Sequence, residues 1–491
     1  MTAGRGSKKG AGDFGYDVFL SPFTWRYGSE EMKTLFSEEE RRANWRKVWV
    51  ALAKAEHDFG LLSSAEFEDV LAKSGREFID IPRSREVETK IHHDLMAELN
   101  VFAAQSKKGG GKLHLGATSM DVEDNADILI YTKAIDIVSS RILDCLSALR
   151  DVIVRYRGLV CMAWTHLQPA EPTTLGYRFC VYAQDLVLDL KLLQAVKDTF
   201  LLGKGVKGAV GTSASYKALL GDDAKTRKLE RSVMENLGLR SFEVAAQTYP
   251  RKVDFALLAS LASVAQSCHK FGMDLRVLQS PVFGEVSEPF EKRQVGSSAM
   301  PFKRNPVFSE RMCSLARFVS VLPGVAFSNA ANSILERTLD DSASRRIAIP
   351  EAFLAVDECV QIYIRLARGL VVHPAMIRKN LEKFGPFAGT EAVLMKLAKE
   401  GGDRQKFHEL IRVKSIAAWE EVMRGRPNTI ETSLARDRRI ASRISRGELK
   451  SLLDPRQHVG DAKARCDAFV RGTLEPLLER RTTEADSTRG R

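Results

Sequence analysis

The segment from Thr118 to about Tyr156 contains neither glycine nor proline, and its large aliphatic residues recur at intervals of three, four and seven. That spacing predicts one amphipathic α-helix. At about 1.5 Å per residue such a helix is roughly 55 Å long, which is more than a compact single domain needs. Further helices are predicted over four later stretches: Thr173–Leu202, Arg251–Leu278, Pro306 to about Phe327, and Asp341–Leu370. The sequence therefore predicts an all-α chain built around a bundle of long helices.

The apolar stripes of these helices bear on assembly. At 491 residues and 44% hydrophobic composition the chain can bury a large core. Several long helices in succession carry apolar faces, and together these faces are larger than one subunit is expected to bury within itself. We therefore expect some helices to pack against other subunits in an oligomer.

The sequence predicts that the chain is divided into five segments. Composition predicts a flexible tail at each end, and the glycines Gly109–Gly111 and the sequence Val372–Pro374 mark the limits of the long-helix region. The predicted parts are an N-terminal tail (1–13), an N-terminal helical domain (14–117), a central long-helix domain (118–372), a C-terminal helical domain (373–479) and a C-terminal tail (480–491).

The net charge of +11 raises the question of nucleic-acid binding. Much of the excess lies in the tails, and elsewhere basic and acidic residues alternate, as in Lys225–Arg231. Alternation is typical of solvated helix faces. Because no nucleic-acid recognition motif accompanies the charge, a small polyanionic substrate is the favoured partner.

Cysteines and apolar runs indicate the compartment. Seven cysteines are scattered without a CxxC pair, which predicts reduced thiols in a cytoplasmic protein. No charge-free run of about 20 apolar residues predicts a membrane span, and Met1–Asp13 lacks the apolar segment of a targeting signal. His92 and His93 have no second cluster at ligand spacing, so no metal site is predicted.

One glycine-rich segment could be taken for a dinucleotide-binding turn. Gly203–Gly208 matches GxGxxG, the pattern of dinucleotide-binding turns. It follows a predicted helix rather than a strand, and no alternation of strands and helices surrounds it. The pattern therefore predicts a loop between helices.

The segment Gly296–Pro306 has the composition of a catalytic loop. It contains the hydroxyls of Ser297 and Ser298, the ammonium of Lys303 and the amide of Asn305. Its prolines prevent a continuous helix, so backbone N–H groups add to these donors. The combination predicts a loop that binds an anion.

Two hydroxyl residues, Thr118 and Ser119, stand where the first long helix is predicted to begin. They fit an N-cap, with Asp121 and Glu123 favouring the helix dipole. A helix N-terminus with hydroxyls also binds carboxylates, so capping and substrate binding are compatible.

His166 lies in the segment Trp164–Ala170, which predicts a loop just before a helix. A lone histidine in such a place is often structural. Histidine is also a common acid–base residue near neutral pH, so both roles stay open from the residues alone.

The segment Glu336–Arg346 contains a fourth set of polar groups. Arg337, Ser342 and Arg346 could bind a phosphate if a turn near Asp340 brings them together, because guanidinium groups and a hydroxyl match phosphate geometry. The spacing alone equally fits an exposed, charged helix end.

These segments resemble the signature elements of the fumarase/aspartase superfamily, and the Lys303–Pro306 ending resembles its adenylosuccinate lyase branch of the animal type. The resemblance covers nearly all of the chain outside the tails. It implies His166 and Ser297 as catalytic residues. It implies substrate binding by Arg26, Tyr27, His93, Asp94, Thr118, Ser119, Thr165, Gln247, Lys303, Asn305, Arg311, Arg337, Ser342 and Arg346.

The resemblance also implies a fold and an activity. The fold is a three-domain, all-α fold whose central bundle assembles into a homotetramer with active sites shared between subunits. The activity is β-elimination of fumarate from adenylosuccinate, giving AMP, and from the related purine precursor SAICAR, giving AICAR. No metal or organic cofactor is implied. Another superfamily lyase, such as one for argininosuccinate, and a non-catalytic structural relative are the alternatives.

Under this resemblance Ser297 takes the carbon-bound proton and His166 protonates the leaving nitrogen. Residues from about Gly284 to Gly296 are expected to close over the substrate. Two departures concern the site: His92 stands where animal relatives carry arginine, and Phe302 where they carry tyrosine or histidine.

Overall fold

The computed structural model describes Gly15 and residues 17–479, so the predicted tails lie outside the described residues. The described helices are α1 (Pro22–Trp25), α2 (Glu30–Leu35), α3 (Glu38–Asp58), α4 (Ser64–Ala72), α5 (Ile81–Ile91), α6 (Asp94–Gln105), α7 (Ser119–Tyr156), α8 (Leu175–Thr199), α9 (Ala214–Leu220), α10 (Asp223–Leu237), α11 (Lys252–Gln279), α12 (Val307–Ala331), α13 (Asp341–Gly369), α14 (Pro374–Ala388), α15 (Thr390–Lys399), α16 (Arg404–Met423), α17 (Ile430–Ala435), α18 (Arg438–Ala441), α19 (Arg446–Leu452) and α20 (Ala462–Phe469). The described strands are β1 (Val160–Thr165), β2 (Gln168–Thr174), β3 (Val286–Ser287) and β4 (Val371–Val372).

The prediction of an all-α chain with five long helices is confirmed. They are α7, α8, α11, α12 and α13, and α7 alone has 38 residues. The aliphatic residues whose spacing predicted α7 are the ones it buries, each at most 1% exposed: Ile128, Ile135, Ile142, Leu146, Leu149 and Ile153. Burial of each such side chain stabilises the fold by about 1.5–3 kcal/mol, so packing rather than helix propensity maintains this length.

The described residues form two compact units. The first consists of the described residues up to Arg141 together with Asp189–Gln266 and Leu315–Cys359. The second consists of Ile142–Leu188, Ser267–Ser314 and the described residues from Val360 onward. The three domains predicted from the sequence divide the chain at other positions than these two units do. The three-domain division stays a prediction.

The first unit has a core of aromatic and aliphatic side chains from α3, α6, α7 and α10. Trp49 packs on Phe102 with ring centroids 6.1 Å apart. Arg46 is fully buried beside these rings, and its guanidinium lies 2.7 Å from Glu98. Burial raises the pKa of the Glu98 carboxyl, and Arg46 opposes that effect. A buried charge is tolerated here because it has an opposite partner.

The second unit contains the C-terminal helices. Their core is formed by aliphatic side chains with Phe407, from α15 through α19. Elsewhere in this unit Phe271 stacks on Tyr363 at 4.0 Å, and Trp164 packs edge-on against Phe283 at 4.8 Å.

The sequence interpretation of residues 164–170 as a loop was wrong. Strands β1 and β2 form an antiparallel hairpin in which Val160 pairs with Thr174 and Thr165 pairs with Gln168. The two-residue turn is His166 and Leu167, whose φ angles are 55° and 58°. Positive φ at both positions is the geometry of a type I′ turn, which usually contains asparagine or glycine. The sequence had no such residue here to indicate a hairpin.

No helix among the described residues is long and apolar enough to cross a membrane.

Candidate active site

His93 and Ser119 meet in the first unit. His93 is the N-cap of α6, and its Nδ1 accepts a hydrogen bond from the Met96 N–H at 3.4 Å. That bond assigns the imidazole proton to Nε2, which lies 3.2 Å from the Ser119 hydroxyl oxygen. The residue before it, His92, has a left-handed φ of 55° and ends α5. A hydroxyl and an imidazole N–H therefore lie side by side at the N-terminus of α7.

The beginning of α7 is fixed by Asp121. One carboxylate oxygen accepts from the Thr118 N–H at 2.9 Å, which satisfies a donor at the helix end. The same carboxylate accepts from the N–H groups of Lys207 and Gly208, both at 3.0 Å, and pairs with the ammonium of Lys204. Asp121 thus ties the Thr118–Ser119 turn to the glycine-rich loop.

The glycine-rich loop Gly203–Gly208 is a support for this turn. Lys204 is 0% exposed and also donates to the Gly208 carbonyl at 2.9 Å. Asn125 of α7 exchanges two hydrogen bonds with Gly205, at 3.1 and 3.2 Å. The sequence interpretation of a loop between helices is confirmed, since the loop lies between α8 and α9. Sequence reasoning missed its contact with the α7 N-terminus, because lysines in a glycine-rich loop look exposed.

Asp94 and Arg346 are joined by an ion pair, with Arg346 Nη1 at 2.5 Å from Asp94 Oδ2. Burial acts to raise the pKa of the Asp94 carboxyl, but the hydrogen bond and charge of Arg346 outweigh it and hold that pKa below its ordinary value. The other side of the Arg346 guanidinium faces Glu123, at 3.8 Å. Arg346 therefore links the His93–Ser119 region to the first turns of α13.

Arg337, Ser342 and Arg346 line one pocket, as the phosphate prediction requires. Met120 and Glu123 of α7 and Arg41 of α3 also line it. We call this set of residues the Arg337 pocket. Its guanidinium groups make it suited to bind an anion.

A buried charge network supports the Arg337 pocket from behind. Asp341 accepts from Arg337 at 2.9 Å and from Arg251 at 2.7 Å. Arg251 also reaches Asp124 at 3.0 Å, and Arg345 reaches Asp254 at 2.7 Å. Guanidinium groups held between carboxylates on three elements have little freedom, so the pocket is preorganised. The burial of Arg251 and Arg345 could not be predicted from their local sequence.

Gln247 lies beside the same segment. Its backbone N–H donates to the carbonyl of Glu336 at 3.3 Å, one residue before Arg337. The loop that carries it is fixed by Tyr249, whose N–H donates to Asp124 at 2.8 Å and whose hydroxyl donates to Asp254 at 2.6 Å.

The N-terminal element with Arg26 and Tyr27 is anchored on α13. Ser21 donates to Glu351 at 3.0 Å, and the Gly28 N–H donates to Glu358 at 3.1 Å. Arg26 is exposed, and its guanidinium lies 5.6 Å from the Trp25 ring and 5.8 Å from the Tyr27 ring.

In the second unit, Thr165 and His166 are exposed at the tip of the β1–β2 hairpin. Leu167, the other turn residue, is 64% exposed. A non-glycine residue in the left-handed region costs about 1–2 kcal/mol, and two successive ones are retained only where the surroundings or the function require them. His166 is therefore exposed to solvent at the tip of the hairpin.

Ser297 lies in a loop that is closed by Asn305. The Asn305 amide donates to the Gly296 carbonyl at 2.9 Å. The Ser297 hydroxyl oxygen accepts from the N–H groups of Met300, at 3.1 Å, and Ala299, at 3.4 Å. Both donors stabilise negative charge on that oxygen, which a serine base needs. Lys303 is exposed on the same loop.

Part of the segment predicted to close over the substrate is hydrogen-bonded to its neighbours. Strand β3 pairs with β4, and the Glu288 carboxylate accepts from the N–H groups at the start of α12, at 2.6 and 3.2 Å. Glu285 contacts Arg178 at 3.0 Å. Residues 291–293 beyond this anchor are exposed. Arg311, in the first turns of α12, lies over the ring of Phe308 at 5.8 Å.

Within residues 15 and 17–479 no group of three or more His, Cys, Asp or Glu side chains is arranged to hold a metal ion.

Comparison with known proteins decides the family. A family model described as "Lyase" matches residues 29–320, and a model described as "Adenylosuccinate lyase C-terminus" matches residues 386–469. The chain is 38% identical over 468 residues to the adenylosuccinate lyase of Schistosoma mansoni, covering 94% of this chain and 96% of that one. It is also 38% identical over 469 residues to the adenylosuccinate lyase of Saccharomyces cerevisiae, with the same coverage. The chain belongs to the adenylosuccinate lyase family.

Two solved structures resemble the fold of this adenylosuccinate lyase family member, although their sequences are less similar to it than those relatives are. A fumarate lyase from Mesorhizobium has a TM-score of 0.80 at 24% identity, covering 93% of this chain and all of that chain (100%). A 3-carboxy-cis,cis-muconate lactonizing enzyme from Pseudomonas putida has a TM-score of 0.81 at 24% identity, covering 93% and 99%. They confirm the predicted all-α fold.

Proposed function

We propose that this chain is an adenylosuccinate lyase, a carbon–nitrogen lyase that releases fumarate from adenylosuccinate to leave AMP and from SAICAR to leave AICAR. The observation that carries the proposal is the convergence of Arg337, Ser342 and Arg346 on one pocket. Both substrates carry a phosphate, which this pocket would bind, whereas argininosuccinate has none. The pocket therefore favours the purine substrates over the sister reaction.

The first chemical step is removal of a proton from the carbon next to a carboxylate. In the proposal Ser297 reacts as the alkoxide and becomes the neutral hydroxyl when it accepts that proton. Its hydroxyl oxygen already accepts two backbone N–H groups, which lowers the cost of the alkoxide. Lys303 supplies a positive charge to the carboxylate on which negative charge develops, and loop closure excludes water from it.

The second step breaks the bond between carbon and nitrogen. The electron pair of the carbanion forms the double bond of fumarate, and the electron pair of the broken bond passes to the nitrogen. His166 donates a proton to that nitrogen, which becomes the amino group of AMP. An exposed imidazole at the tip of a short turn is suited to reach a bound substrate.

The remaining predicted residues bind the substrate in this proposal. The N-terminus of α7, with Thr118 and Ser119, and the imidazole N–H of His93 bind a carboxylate of the succinyl group. Thr165 and Asn305 add a hydroxyl and an amide, Gln247 contacts the succinyl or base portion, and Arg311 adds positive charge. Arg26 and Tyr27 bind the nucleotide portion.

We further propose a homotetramer with shared sites. Long helices expose large apolar side chains, among them Val321 at 64%, Phe327 at 61% and Leu188 at 55%. Exposed apolar residues on such helices support burial against other subunits. A cytoplasmic location is supported by seven cysteines that are all buried thiols.

The test is fumarate release from a panel of four compounds by the purified full chain: adenylosuccinate, SAICAR, argininosuccinate and succinyladenosine, which lacks the phosphate. We expect the first two to be cleaved, argininosuccinate to be inert, and succinyladenosine to lose at least about tenfold in kcat/KM because the pocket's phosphate contacts are missing. Cleavage of argininosuccinate alone would assign the chain to the sister reaction, and equal cleavage of succinyladenosine would remove the role of the pocket.

A further inference from the structure

Two acidic residues, Glu123 and Asp127, line the Arg337 pocket beside its arginines, and Asp127 pairs with Arg345. Glu123 follows Ser119 by one helical turn in α7, and its side chain is 16% exposed. The catalytic proposal does not use it. A carboxylate repels a phosphate dianion because both are negatively charged. An ionised Glu123 would therefore weaken phosphate binding in this pocket.

The charged groups around Glu123 come from every element packed against it. Asp124 and Asp127 belong to its own helix, Asp94 begins α6, and Arg346 belongs to α13; Arg41 of α3, Arg337 and Arg345 line the same pocket.

The neighbouring carboxylates have closer guanidinium partners than Glu123 has. Asp124 lies 3.0 Å from Arg251, Asp127 lies 3.0 Å from Arg345, and Asp94 lies 2.5 Å from Arg346. Glu123 is 3.8 Å from Arg346, which already bonds Asp94. Burial first, and then Asp94, raise the pKa of the Glu123 carboxyl to about 8, with Arg346 opposing them.

This inference rests on the proposed function. We propose that Glu123 couples phosphate binding to a proton: as a neutral acid it donates a hydrogen bond to a phosphate oxygen, and as a carboxylate it repels the phosphate and competes for Arg346. The ligand then binds to the form of the pocket in which Glu123 is protonated.

The direction of the pH effect follows from linkage. A bound dianion raises the pKa of Glu123 further, so binding takes up a proton wherever Glu123 is ionised beforehand. The AMP phosphate is already a dianion above about pH 7. Between pH 7 and pH 9 the affinity for AMP should therefore fall about tenfold, and at pH 9 each AMP should bring about one proton.

The experiment is calorimetric titration of the full chain with AMP at pH 7 and pH 9, with adenosine in parallel as the ligand without a phosphate. Wild type should bind AMP about tenfold more weakly at pH 9, and adenosine equally at both. Glu123→Gln keeps an amide donor but cannot ionise, so its AMP affinity should be the same at both pH values. Asp151→Asn removes an exposed carboxylate from the same helix and should behave as wild type.

An equal pH dependence in wild type and Glu123→Gln would overturn the inference, because another group would then titrate. If the variant does not fold, proton uptake by wild type on AMP binding is measured instead, in buffers of different ionisation enthalpy. The absence of proton uptake at pH 9 would also overturn the inference. Cleavage of adenylosuccinate is assayed on the same preparation. Activity with pH-independent AMP binding would overturn the proton coupling alone, whereas loss of both cleavage and AMP binding would overturn the proposed function with it.

Discussion

The side-chain amide of Asn305 donates a hydrogen bond to the backbone carbonyl of Gly296 at 2.9 Å, and this bond closes the loop that carries Ser297. The backbone N–H groups that reach the Ser297 oxygen belong to residues inside the closed loop. Asn305 therefore has a positioning role that the sequence did not indicate, in addition to any contact with substrate.

Asn305→Ala should lower kcat by about 10–100-fold, because a loop that is no longer closed misplaces the base relative to the substrate. The melting temperature should change little, since the loop is largely exposed. The matched control is Asn332→Ala, which removes an exposed amide that also donates to a backbone carbonyl, at 2.9 Å. Steady-state fumarate release measures the effect, and equal losses in both variants would contradict the positioning role.

His166→Asn should lower kcat by about 10²–10⁴-fold while leaving the melting temperature unchanged. Asparagine tolerates the left-handed φ of 55° at this position, so the hairpin turn is kept and only the acid is lost. His408→Asn, at an exposed histidine in the same unit, is the control. A variant that retains wild-type kcat would exclude His166 as the acid.

The buried carboxyl of Glu56 makes stability depend on pH. It is 1% exposed, and burial raises its pKa from 4.5 to about 8, while Lys112 opposes the effect. The folded state holds a proton that the unfolded state releases above about pH 4.5, so this group disfavours folding increasingly as the pH rises from 4.5 to 8. The full effect is up to about 5 kcal/mol.

Glu56→Gln should therefore raise the melting temperature relative to wild type at pH 8 and have a smaller effect at pH 5. Glu39→Gln, at an exposed carboxylate of the same helix, should show no such difference. Thermal unfolding followed by circular dichroism measures both. If the melting temperature of Glu56→Gln depended on pH in the same way as that of wild type, the Glu56 carboxyl would not be the cause of the pH-dependent stability.

Shared active sites predict complementation. Inactive His166→Ala and Ser297→Ala proteins, mixed and allowed to exchange subunits, should recover part of the wild-type activity, because some mixed sites then receive an intact residue from each parent. Subunit exchange is established independently by mass spectrometry of differently labelled chains. Proven exchange without any recovery would mean that one subunit supplies both residues to a site.

The sequence predicted what depends on periodicity and residue type. Helix α7 could be predicted because its buried aliphatic residues recur at the helical period. Arg337, Ser342 and Arg346 could be grouped because guanidinium groups and a hydroxyl match phosphate geometry. The sequence could not predict the hairpin, since His166 and Leu167 are unusual residues for a type I′ turn. Burial set by distant segments was also hidden: Lys204 and Glu123 look like surface charges in their local sequence.

The most direct test of the proposed function is the ultraviolet spectral change when the purified chain is mixed with adenylosuccinate, with Ser297→Ala and Ser298→Ala assayed beside it. The account predicts conversion to AMP by wild type and by Ser298→Ala, and a loss of at least about 10²-fold in Ser297→Ala. No conversion by wild type, or full activity in Ser297→Ala, would contradict it.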